Sequence, residues 1–535
     1  MDPQAFDQDP HRDIHAQHGS GRHDSSRHDS SGHDSGRRVF ILASAVAAAG
    51  AVVGLGTGCD TPQGMRSPRS TTTPGSGTGV GAGARAGQNP AGMNGATDPI
   101  APKAGDAGKD PAGKDSAKDP AKDPTGKPQT IERPEPPSKE PAIRIKTREV
   151  PPAKPFVMIE GAGPKVWIVE KGTGAGGRVV QGPLEARWSA GGWKLTESAG
   201  TRAARVVDYP SRGTLDITCL ANETPRIKVD GVVWPGAVRL VPTRTCFDLV
   251  HEVPMEMYLS GVIAKELING WGVETHRAQA IAARSWAICE MEVWRPQRHF
   301  DVVADERSQA WVGTTTHQKS LDAVRDTGGQ VLLFDRRVVP AYYSSCCGGA
   351  RASAQDTISS EILHDIAPLR AASGRKGCAC TGFSKHAKWE MTLAVPAVSR
   401  TLPAWARLEG YPSLARIGEV RQIEVVRRNE QGRPVRVRLT DAKGWKCELT
   451  AERLRWALSA SPSNPAEKKP LAERVKSANF EPTLRGSELL LRGAGYGHGV
   501  GLCQYGSEAM AKSGTAAAAI LANYYPGAQL VRAYG

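Results

Sequence analysis

The segment EVPMEMYLSGVIAKELINGWGVETHRAQAIAARSWAICEMEVW, residues 252–294, decides the reading of the chain. Met255, Leu259, Val262 and Glu266 follow at helical steps and share one face. The run NGWG at 269–272 breaks that helix. A second helix follows, with Ala278, Ile281, Ala282, Ser285 and Cys289 on a face of small side chains that admits close approach of another helix. Arg277 and Arg284 line a neighbouring face. Glu266 stands where the next apolar residue of the first helix belongs. Two readings fit it. A part-desolvated carboxylate has a raised pKa and can serve as a general acid. A glutamate at the rim of a core face can also simply hold its head in water.

Working outward, FVMIEG, KVWIVEKG, TLDITCL, RIKVDGVVW and GAVRLVP between residues 155 and 250 are short strand patterns parted by turn residues. Residues 328–345, GGQVLLFDRRVVPAYYSS, read as a hairpin about an Asp-Arg-Arg turn. Residues 419–450 hold another, with turn chemistry in NEQGRP. Strands and helices without a regular alternation argue for an α+β fold.

The first 150 residues have a different character. Residues 1–36 are rich in His, Asp and Ser and carry no apolar face, so disorder is expected; a His tract can also bind metal. At 37–59, Arg37 and Arg38 precede an apolar run that ends in LGTGC. The arginine pair resembles a twin-arginine export signal, and Cys59 lies where a bacterial lipoprotein is lipidated. An uncleaved anchor and simple secretion are the alternatives. All of them export the rest of the chain. Residues 60–150, with their Lys-Asp-Pro near-repeats, read as a disordered linker.

Composition agrees with a part-disordered chain: of 535 residues, 39% are hydrophobic and 6% aromatic. The net charge of +14 suits an anionic partner such as nucleic acid, a membrane or an anionic cell-wall polymer, or serves solubility alone. Ten cysteines are too sparse for a disulfide scaffold.

Two further clusters could carry chemistry. In GAGYGHGVGLCQYG, residues 493–506, closely spaced glycines surround His498 and precede Gln504. Such a loop brings backbone close to a ligand, or it is a tight bend with a structural histidine. Neither a Lys-Ser/Thr pair nor a βαβ frame accompanies it, which argues against a nucleotide loop. In SSCCGG and CACTGFSKHAKW, Cys347, Cys378, Cys380 and His386 offer a tetrahedral zinc set, with Cys346 competing. A disulfide or free thiols are the alternatives. The sequence has no Gly-x-Ser-x-Gly elbow, His-Glu-x-x-His or Walker loop, so zinc here would be structural.

VPMEMYLSGVIAKEL, RAQAIAARSWA, DERSQAWVG, AYYSSCCGG, GYGHGVGLCQYGSEAMAKSG and ILANYYPGAQL occur in that order. Together they resemble the sporulation stage II protein D and amidase-enhancer family, over roughly residues 155–535. The resemblance implies a domain at 151–535, with a β-rich lobe at 151–250 and a mixed helix/strand catalytic region at 251–535 that forms a cleft. It implies a lytic transglycosylase that cuts peptidoglycan between N-acetylmuramic acid and N-acetylglucosamine and leaves 1,6-anhydro ends. Glu266 takes the catalytic role, acting first as acid and then as base. Arg284, Gln309, His498, Gln504 and Tyr505 fall in the blocks that contact sugar or orient the acid. No cofactor is needed for catalysis, and some relatives carry zinc in the region matching 344–386. Ser344 and Cys346 depart from the usual His and Thr, and Cys503 from the usual Ser. The implied partners are glycan strands, a cell-wall amidase, and the membrane through the N-terminal anchor. Export excludes nucleic acid and places the domain in the cell envelope or periplasm. A non-catalytic amidase enhancer is the alternative.

Overall fold

Two antiparallel sheets between Ala142 and Pro254 enclose one apolar core. The first runs, edge to edge, Val302–Val303, Ala142–Val150, Phe247–Pro254, Ala237–Pro242, Leu215–Cys219, Lys165–Glu170 and Arg178–Gln181. Only its edge strand Val302–Val303 pairs in parallel, against Ala142–Val150. The second runs Val232–Pro235, Arg226–Val229, Phe156–Gly161, Leu184–Ser189, Gly192–Glu197 and Arg205–Asp208. Alternate residues point inward, as the two-residue strand period requires: Val157 and Ile159, Val166 and Ile168, Leu184 and Ala186, Leu215 and Ile217 are all buried.

This computed structural model describes residues 132–535 except 162–164, 171–176, 190, 209–211, 220–225, 245, 360–361 and 372–376. The segments 1–36 and 37–59, with Cys59, and the linker as far as residue 131 lie outside the described residues. Among the described residues, no helix is long and apolar enough to cross a membrane.

The linker expected to end at 150 ends earlier. Ala142–Val150 is a strand inside the first sheet, paired with Phe247–Pro254. Its sequence AIRIKTREV alternates, and Ile143 and Ile145 are fully buried. Flanking prolines and charges hid a pattern that two isoleucines carry. The boundary at 250/251 likewise dissolves, because Phe247–Pro254 crosses it and Val302–Val303 returns to the sheet.

That strand leads straight into helix α1, Met255–Glu266, followed by α2, Val273–Trp294, and α3, Gln318–Asp326. Strand Gln330–Phe334 pairs with Arg337–Val338 across Asp335 and Arg336, whose φ values of 49° and 60° make the tight turn. The second run of this hairpin is shorter than expected. Tyr343–Ser344 leaves it to pair in parallel with Leu502–Cys503.

Region 251–535, expected as one catalytic region, holds two cores. After the short helix α4, Ala354–Thr357, residues 389–493 build the second core. It comprises α5, Val395–Glu409; α6, Pro412–Ala415; α7, Ala451–Leu458; and two three-stranded sheets. The expected hairpin is there, with Val420–Arg428 antiparallel to Pro434–Asp441. Leu402, Val437, Leu439, Leu454, Leu489 and Leu491 are fully buried within it. The neck of this insertion closes where the Gly495 N–H donates to the His386 carbonyl at 2.8 Å. The chain then returns to the first core with α8, Gln504–Lys512, and α9, Ala517–Tyr524.

Candidate functional site

Glu266 is the last residue of α1 and is 2% exposed. The helix buries Met255, Tyr258, Leu259, Val262 and Ile263 along the face that Glu266 completes. Its first turn is fixed by the Glu140 carboxylate, which accepts from the Glu256 N–H at 2.9 Å. Leu267 turns extended and ends it.

Two donors meet the carboxylate. The Ala310 N–H donates to Oε1 at 3.1 Å, and Gln504 Nε2 donates to Oε2 at 3.4 Å. Burial pushes the pKa up to about 7 against the pull of both donors. A carboxylate at a helix C-terminus also faces the negative end of the dipole, which favours the neutral form. Burial raises Glu290 on α2 to about 7 as well, but its one hydrogen-bonded neighbour is Trp294 of the same helix. Convergence of groups from separate elements, not the raised pKa, marks Glu266.

The donors are held in place. Gln309 is fully buried; its Oε1 accepts from Tyr258 at 2.9 Å and its Nε2 donates to the Ala283 carbonyl at 3.2 Å. It thereby fixes the loop that presents Ala310. Gly261 lets this loop lie on α1, for a Cβ there would meet the Gly313 carbonyl at 2.3 Å. The phenols of Tyr258 and Tyr343 are buried beside Glu266 and resist ionisation, through burial first and the neighbouring carboxylate second.

The remaining expected residues fall in different places. Tyr505 follows Gln504 and packs its ring against Trp271 at 5.1 Å. Among the described residues, His498 makes no hydrogen bond to Glu266. Its Nδ1 accepts from the Val500 N–H at 3.0 Å, and its ring meets Tyr342 at 6.1 Å. Burial lowers its pKa to about 3, so the imidazole is neutral. The glycine loop serves backbone packing: Gly501, at φ 66°, would bring a Cβ within 2.0 Å of the Tyr342 carbonyl.

Arg284 lies at the far end of α1. It forks onto Glu256 at 2.8 and 2.5 Å and donates to the Gln330 carbonyl at 3.0 Å. Tyr534 donates to the same glutamate at 2.7 Å. Ten helical residues separate Glu256 from Glu266, roughly 15 Å at 1.5 Å per residue. Arg284 therefore locks α1 to α2 and the C-terminal segment. Arg284→Ala strands a partly buried carboxylate and is expected to cost about 3 kcal/mol in a urea melt. KM of the surviving folded fraction should stay within twofold.

The thiols of Cys347, Cys378, Cys380 and Cys503 all lie within 4.8 Å of one another. Cys347 and Cys380 are 3.6 Å apart, and all four are free thiols. Tetrahedral zinc with bonds of about 2.3 Å needs sulfurs roughly 3.8 Å apart, and four sulfurs suit zinc or iron. Cys503 thus stands where His386 was expected. His386 instead packs on Tyr496 at 4.7 Å and edge-on to Tyr505 at 5.8 Å. Cys503 is distant in sequence and arrives through the parallel pairing with Tyr343–Ser344. Cys346 touches Cys380 and Cys503 from outside the set. Arg433 of the insertion, fully buried, donates to the carbonyls of Cys347 at 3.2 Å and His498 at 3.0 Å.

Glu266 is a buried acid on an α+β domain, and the groups that shift its charge are the Ala310 N–H, the Gln504 amide and Lys265. Residues 243–334 match the family described as Stage II sporulation protein, and 363–501, spanning the insertion, match a domain of unknown function (DUF8618). The chain is 26% identical over 307 residues to Stage II sporulation protein D of Bacillus subtilis, covering 54% of this chain and 78% of that protein. It is 24% identical over 304 residues to an uncharacterized protein of Brachyspira hyodysenteriae, covering 57% and 73%. With the amidase enhancer of Bacillus subtilis it shares 25% identity over 294 residues, 51% of this chain but 40% of that one. The sporulation-protein match is thus confined to residues 243–334, and over about half its length the chain is similar to stage II sporulation protein D and to the amidase enhancer.

Proposed function

We propose that this chain acts on the bacterial cell wall as a peptidoglycan lytic transglycosylase. The observation that carries the reading is the Glu266 carboxyl, buried and poised near neutral pH between Ala310 and Gln504. Protonated Glu266 donates to the glycosidic oxygen as the bond from C1 of muramic acid breaks. The same carboxylate then takes the proton from the C6 hydroxyl as O6 attacks C1. The sugar's own hydroxyl replaces water, so no second carboxylate is required, unlike in two-carboxylate hydrolases. At 2% exposure, the Glu266 carboxyl must be uncovered for a substrate to reach it.

The first step needs the proton, so kcat/KM is expected to fall about tenfold per pH unit above an apparent pKa near 7. A rate that rises through neutrality would contradict an acid role.

Cys347, Cys378, Cys380 and Cys503 fit a structural zinc ion, which would tie the 378–380 turn and the start of α8 together. The chemistry uses no step through it. Export through the 37–59 run, tethering by Cys59 or by an uncleaved anchor, and a place in the cell envelope complete the reading. Glycan strands are then the partner and nucleic acid is not.

The name of the amidase enhancer relative supports a second reading, a non-catalytic modulator of a cell-wall amidase. Purified protein on isolated glycan strands separates the two. Soluble products without a second enzyme support catalysis. No products alone, with stimulation of an added amidase, supports the modulator.

A further inference from the structure

We infer that Phe383 forms a saccharide-stacking subsite beside Glu266, built by the turn that Cys378 and Cys380 hold. The inference rests on the glycan-cleaving reading above for its ligand class.

Phe383 is 37% exposed, whereas among the described residues the other large apolar side chains exposed to this degree are aliphatic. It is also rigid. It follows the 3-10 turn Ala379–Gly382, and the N–H groups of Phe383 and Ser384 both donate to the Cys380 carbonyl, at 3.2 and 2.8 Å. An exposed ring on a backbone fixed by the turn, with Lys512 and Tyr505 beside it, gives up apolar burial, which suits a surface kept for a ligand.

The ring joins the acid through a short chain of contacts. Phe383 lies 5.7 Å from Tyr505, and Tyr505 lies 5.1 Å from Trp271, which follows Glu266 in the turn after α1. Gln504, next to Tyr505, donates to Glu266. The Lys512 ammonium sits 4.2 Å from the Phe383 ring centroid and covers one side of it. The surroundings are polar: Thr381, Gly382 and Lys385 are exposed and His386 is half-buried. A protein partner would call for a contiguous apolar patch. A single ring in a polar rim instead matches the C–H face of one pyranose, whose hydroxyls need polar neighbours.

Chitohexaose binding to the Glu266→Gln protein tests this by calorimetry, without turnover. Phe383→Ala in that background is expected to weaken binding about tenfold, while Phe383→Trp keeps it within twofold. Thiol reactivity and melting temperature should match the parent, which separates a lost stacking surface from a disturbed turn. Binding by Phe383→Ala within twofold of the parent overturns the subsite, as does a parent that binds no chitohexaose. If wild type releases no product from glycan strands while Phe383 still governs binding, the cleavage reading fails and the subsite stands.

Discussion

Glu266→Gln is expected to abolish product release, a loss of at least about a thousandfold, and to make the folded protein more stable at alkaline pH. Both follow from one carboxyl. In the proposed mechanism Glu266 alone protonates the leaving oxygen, and an amide cannot. The stability term has a definite sign. The folded protein raises the carboxyl from 4.5 to about 7, so folding favours the protonated form. Below pH 4.5 both states are protonated and burial of the group costs nothing through titration. Between 4.5 and 7 the cost grows, and above 7 it is complete, at about 3 kcal/mol given 1.4 kcal/mol per tenfold change in proton affinity. An amide has no such cost. Urea melts should therefore show the variant gaining on wild type from pH 5 to pH 8. Equal stabilities across that range would mean that the carboxyl is not held in a desolvated site.

Cys503→Ser is expected to abolish binding of the proposed zinc and to lower the melting temperature by about 10 °C. That figure takes about 3 kcal/mol for a lost structural ligand and 2–4 °C per kcal/mol for a domain of this size. The change conserves size, so packing alone predicts little. The consequence extends past the metal. Cys503 precedes Gln504, and its sulfur accepts from the Gly506 N–H at 3.4 Å as the cap of α8. A displaced strand end would carry Gln504 away from Glu266. His386→Ala is the control, expected to keep a full equivalent of zinc by elemental analysis. Metal lost from His386→Ala but kept by Cys503→Ser would restore the histidine ligand set read from the sequence.

The comparison between residues and structure is uneven for physical reasons. Helical steps in a single segment were enough to place Glu266 at the end of a buried face, because amphipathic helices write their inner side locally. Gln504 stood out in the glycine-rich loop, but its role beside Glu266, and Tyr505 altogether, were reached only through the ordered motifs. Long-range contacts leave no local period, and that accounts for the rest. Ala310 acts through its backbone, which no side-chain pattern marks. Tyr258 sat on the same helix, one residue before Leu259, as an aromatic with a polar tip. Cys503 looked like a conservative replacement of serine, since the strand pairing that carries it to Cys347 spans most of the insertion. Arg284 read as a site residue because it lies in a recognisable block; the fold uses it at the other end of the helix. The second core between residues 389 and 493 was visible only as one hairpin, because strands such as Glu488–Gly493 bury three consecutive leucines and so show no two-residue period.

The central claim is that one carboxyl cleaves a glycan without water. Digestion of purified glycan strands in water enriched in oxygen-18, followed by mass spectrometry of the released ends, tests it most directly. The account predicts muramic ends one water lighter than reducing sugars, with no oxygen-18 above background. Reducing ends that carry oxygen-18 would contradict it, and would require a water-activating group beside Glu266.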